Sequence, residues 1–78
     1  MPRDVEAMLL NTRGAVYREL HMLQSARDCA ERSIKIMPNQ RHVYNMLSAI
    51  YRQLGDTKAA IRTMELANAL PPDIEANK

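Results

Sequence analysis

The chain has 78 residues, with 11 lysines and arginines against 9 aspartates and glutamates, for a net charge of +2. A chain this short is one small domain or a piece of a larger protein, and it buries only about 60 % of its unfolded surface, which leaves a thin core. The near-balance of charge excludes the clustered basic excess of a dedicated nucleic-acid binder. Three tyrosines, with no tryptophan or phenylalanine, leave few platforms on which bases could stack.

The single cysteine, Cys29, excludes an intramolecular disulfide and a multi-cysteine zinc site. His21 and His42 stand far apart in sequence, so neither a metal nor another cofactor is expected. No apolar run approaches the ~18 residues needed to span a membrane, and the start "MPRDVEAMLL" lacks a signal-peptide core. The expectation is a soluble protein of a reducing compartment, the cytoplasm.

Taken in chain order, the first expected helix runs from about Val5 to Leu20. A second runs from Leu23 to Met37 and is closed by Pro38, after a break "LHMLQ" that contains no glycine. In the third, Val43, Tyr44, Leu47, Ile50, Tyr51 and Leu54 recur at three- and four-residue steps, an apolar stripe along one helix. Asn39 is expected to cap its start, because an Asn side chain accepts from the first free amides. Gly55 ends it, since glycine enters the left-handed conformation that closes helices. Asp56 caps a fourth helix, from about Thr57 to Leu70, with Ala60, Ile61, Met64 and Ala67 inward. Pro71 and Pro72 stop it, lacking the amide a further turn needs. No alternating β-branched run suggests a strand.

The chain also repeats itself. Laying residues 7–40 over residues 41–74 gives eight identities in 34 pairs, where ordinary composition gives roughly two. The identities are Asn11/Asn45, Ala15/Ala49, Tyr17/Tyr51, Arg18/Arg52, Leu20/Leu54, Ala26/Ala60, Glu31/Glu65 and Pro38/Pro72. Leu9/Val43, Val16/Ile50, Gly14/Ser48 and Ile36/Leu70 are conservative pairs.

A helical hairpin of this length, with these small residues, resembles the tetratricopeptide repeat. The second unit offers Tyr44, Leu47, Ser48, Tyr51, Gly55, Ala60, Met64, Ala67 and Pro72 at the pattern's positions. The first offers Leu10, Arg13, Gly14, Tyr17, Ala26, Ala30, Ser33 and Pro38, a weaker match. Arg13 stands where the pattern has leucine and Ala30 where it has an aromatic. Both departures, and the missing glycine at His21, suggest a looser first unit or a face covered by something outside the chain. The resemblance implies an all-α fold, two antiparallel helical hairpins stacked as a short right-handed α-solenoid. It would form a single domain over residues 1–78, with repeat one at about 7–40, repeat two at about 41–74 and a polar tail at 73–78. It also implies a protein–protein interaction scaffold without catalysis, whose first helices line a concave groove.

A second stripe runs beside the apolar one on each first helix. It comprises Met8, Asn11, Ala15 and Arg18 in unit one, and His42, Asn45, Ala49 and Arg52 in unit two. Steps of three, four and three place each set on one helical face. By the resemblance this face lines the groove, with Thr12, Glu19, Met46 and Gln53 at its edges. Asn can both donate to and accept from a peptide backbone, and Arg forks onto a carboxylate. The expected ligand is therefore a protein or peptide, acidic or carboxylate-bearing. The bland alternative is a solvated face whose Asn and Arg recur through shared ancestry. The family's co-chaperone clamp for C-terminal carboxylates is disfavoured, because its positions hold Asn11, Ala15 and Met46 here.

Cys29 lies mid-helix beside Asp28 and Glu31 and reads as a small inert side chain rather than a nucleophile. Met8, Met22, Met37, Met46 and Met64 read as fillers of core gaps. No phosphate loop, Ser-His-Asp set or catalytic carboxylate pair stands out, so an enzyme is not expected.

Repeat arrays need terminal helices to cover the last apolar face, and the tail "PPDIEANK" is too short and proline-broken to form one. The second unit is expected to expose a face around Tyr44, Leu47, Ile61 and Leu66, and to self-associate through it as a homo-oligomer unless the chain is part of a longer array or a partner's helix covers the face permanently. Two other functions compete. One is an RNA-binding helical-repeat module using Arg13, Arg18, Arg27, Arg32, Arg41 and Arg52. The other is a purely structural oligomerisation module with an empty groove.

Overall fold

The structure is a computed structural model and describes residues 2–72. Four helices follow one another: α1 Arg3–Glu19, α2 Leu23–Ile36, α3 Arg41–Leu54 and α4 Thr57–Asn68. Among the described residues there is no strand. α1 packs along α2 and α3 along α4, and the two hairpins join where α2 meets α3. The expected polar tail, and the expectation that no covering helix forms there, fall outside the described residues.

The helix ends follow the local chemistry with one correction. Gly55 closes α3 at φ 84°, in the left-handed region. Its amide donates to the Arg52 carbonyl at 3.1 Å and the Asp56 amide to the Tyr51 carbonyl at 2.9 Å, the double bond that seals a helix C-terminus. Asp56 caps α4 by accepting from the Ala59 amide at 3.1 Å. Asn39 does not cap α3. The residue before the helix is Gln40, which is buried and turns its amide away from the helix start. Its Nε2 donates to the carbonyls of Met37 at 3.0 Å and Ser33 at 3.3 Å, and to the Ser33 hydroxyl at 3.2 Å. Gln40 therefore ties α3 to the end of α2, a link worth more here than a cap.

The core lies at the seam between the hairpins. Ala26 and Ala30 of α2 pack against Val43, Leu47 and Ile50 of α3, with Tyr17, Ile34, Met46, Tyr51 and Leu54 around them. Small residues admit close helix crossings. A Cβ built on Gly14 would stand 3.4 Å from the Ala26 carbonyl and 3.3 Å from the Met46 methyl, so α1, α2 and α3 converge there. At the matching crossing in the second hairpin, the Ser48 hydroxyl donates to the Ala60 carbonyl at 2.9 Å. Ser33 likewise donates to the Ala7 carbonyl at 2.9 Å within the first hairpin.

Ala30 is fully buried in the cluster that joins α2 to α3, so the small residue at the pattern's aromatic position is a core residue of the seam. Three inward expectations fail. Ile61 is exposed, because α4 turns Ala59, Ala60, Thr63 and Ala67 to the core. Met8 and Met22 are exposed rather than core fillers, whereas Met37, Met46 and Met64 are partly buried. Leu47 belongs to the core rather than to an exposed face, and Tyr44 is half-buried, its hydroxyl donating to the Pro38 carbonyl at 2.9 Å.

Candidate functional site

The polar stripe is distributed as its helical spacing dictates. On α1, Met8 and Ala15 are exposed while Asn11 and Arg18 are half-buried. On α3, His42, Asn45 and Arg52 are exposed and Ala49 is half-buried. α1 and α3 touch lightly, and a hydrogen bond from Arg18 Nε to Gln53 Oε1, 2.7 Å, spans the gap between them. That bond fixes one stripe beside the other. It also engages Arg18, whose remaining guanidinium nitrogens are the ones left to meet a ligand.

Arg52 sits differently from its counterpart Arg18. It borders a groove of about 280 Å³ between α3 and α4, lined also by Ser48, Thr57, Ala60, Ile61 and Met64. Ile61 is 56 % exposed at its rim. Sequence reasoning placed Arg52 in the polar stripe and Ile61 both among the inward residues of α4 and on the uncovered face, where its exposure and that of Leu66 put it, but missed that Arg52 and Ile61 share a surface. A second recess, about 190 Å³, lies on α1 and α2 between Glu6, Leu9, Leu10, Arg13 and Arg32. Arg13 is exposed there rather than filling a leucine's place. A third, about 290 Å³, lies along α2 between the charged residues Asp28, Glu31, Arg32 and Lys35.

One polar contact crosses the seam. The Tyr51 hydroxyl of α3 donates to the Glu31 carboxylate of α2. Burial pushes the Tyr51 hydroxyl up to about 12 from its ordinary 10.0, and the hydrogen bond to Glu31 and that carboxylate's charge add to the rise. Asp56 contributes in the same direction and Arg27 opposes it. Both residues recur at the repeat spacing, as Tyr17 and Glu65. That joint recurrence was the signal by which the pair could have been found.

Cys29 is buried beside Gly14, a packing position. Among the described residues no three His, Cys, Asp or Glu side chains converge as metal ligands, and no helix is long and apolar enough to cross a membrane.

The second hairpin thus combines a left-handed glycine turn, a small residue at each helix crossing and a tyrosine bridging to the preceding hairpin. The family model described as tetratricopeptide repeat matches residues 42–74. Residues 42–74 are thus similar to a tetratricopeptide repeat. The match takes in all but the first residue of α3 and the whole of α4. Tetratricopeptide repeats serve generally as protein–protein interaction modules and are generally non-catalytic. No curated protein and no solved structure gave a match to the chain.

Proposed function

We propose that the chain is a protein-binding scaffold in which both hairpins act as tetratricopeptide repeats, and that α1 and α3 together grip an extended, carboxylate-bearing peptide. Asn11 and Asn45 would hold the peptide backbone, Arg18 and Arg52 its acidic groups. Ala15 and Ala49 leave room for the chain to approach, with Met8 and His42 at one end of the stripe. The observation that supports this reading is the 2.7 Å Arg18–Gln53 bond, which holds the two stripes side by side. Binding of acidic peptides from a display library, followed by fluorescence anisotropy, tests it. Asn11→Ala/Asn45→Ala should weaken binding at least about tenfold, since two hydrogen bonds to the peptide are lost at about 1 kcal/mol each. Unchanged affinity removes the groove assignment. Arg52 is left out of this variant because it also borders the α3/α4 groove.

The second half of the proposal is self-association through that groove. It is supported by the apolar lining of Ala60, Ile61 and Met64 and by the exposure of Ile61. Sedimentation velocity over a concentration series reads it directly, and a monomer throughout rejects it.

A further inference from the structure

The seam between the hairpins is a template for what the α3/α4 groove can hold. In the seam, α3 lays Val43, Met46, Ile50 and Leu54 against the first hairpin, and Val43 and Ile50 are fully buried. Thirty-four residues earlier the same helical stripe on α1 is Leu9, Thr12, Val16 and Leu20. There the face is open: Leu9 is 48 %, Val16 51 % and Leu20 62 % exposed. The receiving surfaces match in the same way. Gly14, Ala26 and Ala30 receive α3, and their counterparts Ser48, Ala60 and Met64 line the open groove on the second hairpin. One molecule therefore exposes both halves of an interface that it already uses once internally.

We propose that the α3/α4 groove receives α1 of a second copy of this chain, head to tail. This rests on the self-association reading above and names its other half, since an uncapped face alone would equally allow two α3/α4 grooves to meet face to face.

Three features of the transposed contact favour α1 as the occupant. The volumes compensate: the seam sets a large Met46 against small Gly14 and Ala30, whereas the transposed contact sets a small Thr12 against larger Ser48 and Met64. The charges complement: the Arg18–Gln53 bond becomes Arg52 of one copy facing Glu19 of the next, a neutral amide acceptor replaced by a carboxylate that completes an ion pair. The tyrosine bridge transposes as well, bringing Tyr17 of one copy to Glu65 of the other, as Tyr51 meets Glu31 in the seam. Arg13 works against the contact, since its counterpart Leu47 is buried and apolar. The association is therefore weaker than the seam, and it shows at high protein concentration.

A head-to-tail contact uses two different surfaces, so it does not close on a pair of wild-type molecules, and they form a ladder of oligomers that lengthens with concentration. The decisive experiment is sedimentation velocity on Val16→Glu, which spoils only the inserted α1 face, and on Ile61→Glu, which spoils only the groove. Both side chains are exposed, and unchanged circular-dichroism melts verify that the variants fold. Each variant alone should be monomeric, and an equal mixture should give a dimer and stop, because one intact groove meets one intact α1 face. If Val16→Glu associates like wild type, the head-to-tail contact is wrong and groove-to-groove pairing stands. If wild type stays monomeric throughout, self-association itself fails. A charge exchange checks the register independently. Arg52→Glu should weaken association about two- to fivefold, as for an exposed ion pair, and adding Glu19→Arg should restore it. Failure to restore overturns the assigned register.

Discussion

After α1 the chain turns through His21 at φ 59°, and after α3 through Gly55 at φ 84°. The two positions lie 34 residues apart. The backbone bonds also coincide. Met22 donates to the Tyr17 carbonyl at 2.8 Å where Asp56 donates to that of Tyr51 at 2.9 Å, and His21 to Arg18 at 3.0 Å where Gly55 donates to Arg52 at 3.1 Å. What differs is the side chains. The second turn has the residue that costs least in a left-handed conformation and an aspartate that caps the next helix. The first has a histidine in that conformation and Met22, which makes no side-chain cap. A turn of this shape is therefore imposed by how the flanking helices pack, and favourable local chemistry only lowers its cost.

The hairpins differ most in what each face of their first helix buries, and that difference sets the largest expected effect. Ile50 is fully buried in the seam, whereas Val16, at the same place in the first unit, is 51 % exposed. Ile50→Ala should destabilise the fold by about 3 kcal/mol, through lost burial and the cavity left between α2 and α3. Val16→Ala should change stability by no more than about 0.5 kcal/mol in dilute solution. Chemical denaturation of both variants makes the comparison. Similar losses would mean that α1 buries its outer face and that the seam is not the core.

The tyrosine bridge gives the next effect. Tyr51→Phe removes a hydrogen bond to a carboxylate and should cost about 1.5 kcal/mol at neutral pH. It should also change the alkaline limb of the stability curve. The Tyr51 hydroxyl titrates at about 12 in the folded chain against 10.0 ordinarily. The unfolded chain therefore releases that proton first, and the stability it contributes, whole below pH 10.0, is lost as pH rises to about 12. Tyr51→Phe should flatten this loss in denaturation curves run between those limits. An equally steep loss would place its cause elsewhere.

The turns follow, with effects near 1 kcal/mol and of opposite sign. His21→Gly should stabilise by about 1 kcal/mol by relieving the left-handed conformation, and Gly55→His should destabilise by a similar amount. Asp56→Ala should cost about 1 kcal/mol as the cap on Ala59 is lost. Thermal melts of the three variants rank them. If His21→Gly brings no gain, tertiary contacts of the imidazole offset its strain.

Much of this was legible in the sequence, because it is local or periodic. Gly55 and Asp56 announced their turn, and the apolar steps of Val43, Leu47 and Ile50 announced the face that forms the core. What the sequence could not settle was which of two helices an apolar face meets. Ile61 follows Ala60 by one position and is as apolar as any core residue, yet α4 is rotated so that Ala60 packs and Ile61 faces outward. Gln40 displaced Asn39 because a side chain that reaches three acceptors at the end of α2 outweighs a local capping preference. The polar stripe of Asn11, Arg18, Asn45 and Arg52 could be placed on its face by spacing. The engagement of Arg18 by Gln53 could not, since it depends on how closely α1 and α3 approach.

The smallest expected effect lies at the matched crossings of the two hairpins. Ser48 bonds the Ala60 carbonyl, while at the same place Gly14 leaves a Cβ-sized space bounded by the Ala26 carbonyl and Cys29 Cβ at 3.4 Å and the Met46 methyl at 3.3 Å. The first two are ordinary contacts, and the third is the end of a flexible side chain that can withdraw by a few tenths of an ångström. Gly14→Ala therefore gains about half of the helix-propensity difference, and should stabilise by about 0.5 kcal/mol. Moving Met46 out of the way separates the two contributions. In a Met46→Leu background, which removes the terminal methyl, the gain should approach the full value of about 1 kcal/mol. Destabilisation by Gly14→Ala in both backgrounds would place the strain in the α1/α2 crossing itself, and would make the first hairpin the more tightly closed of the two.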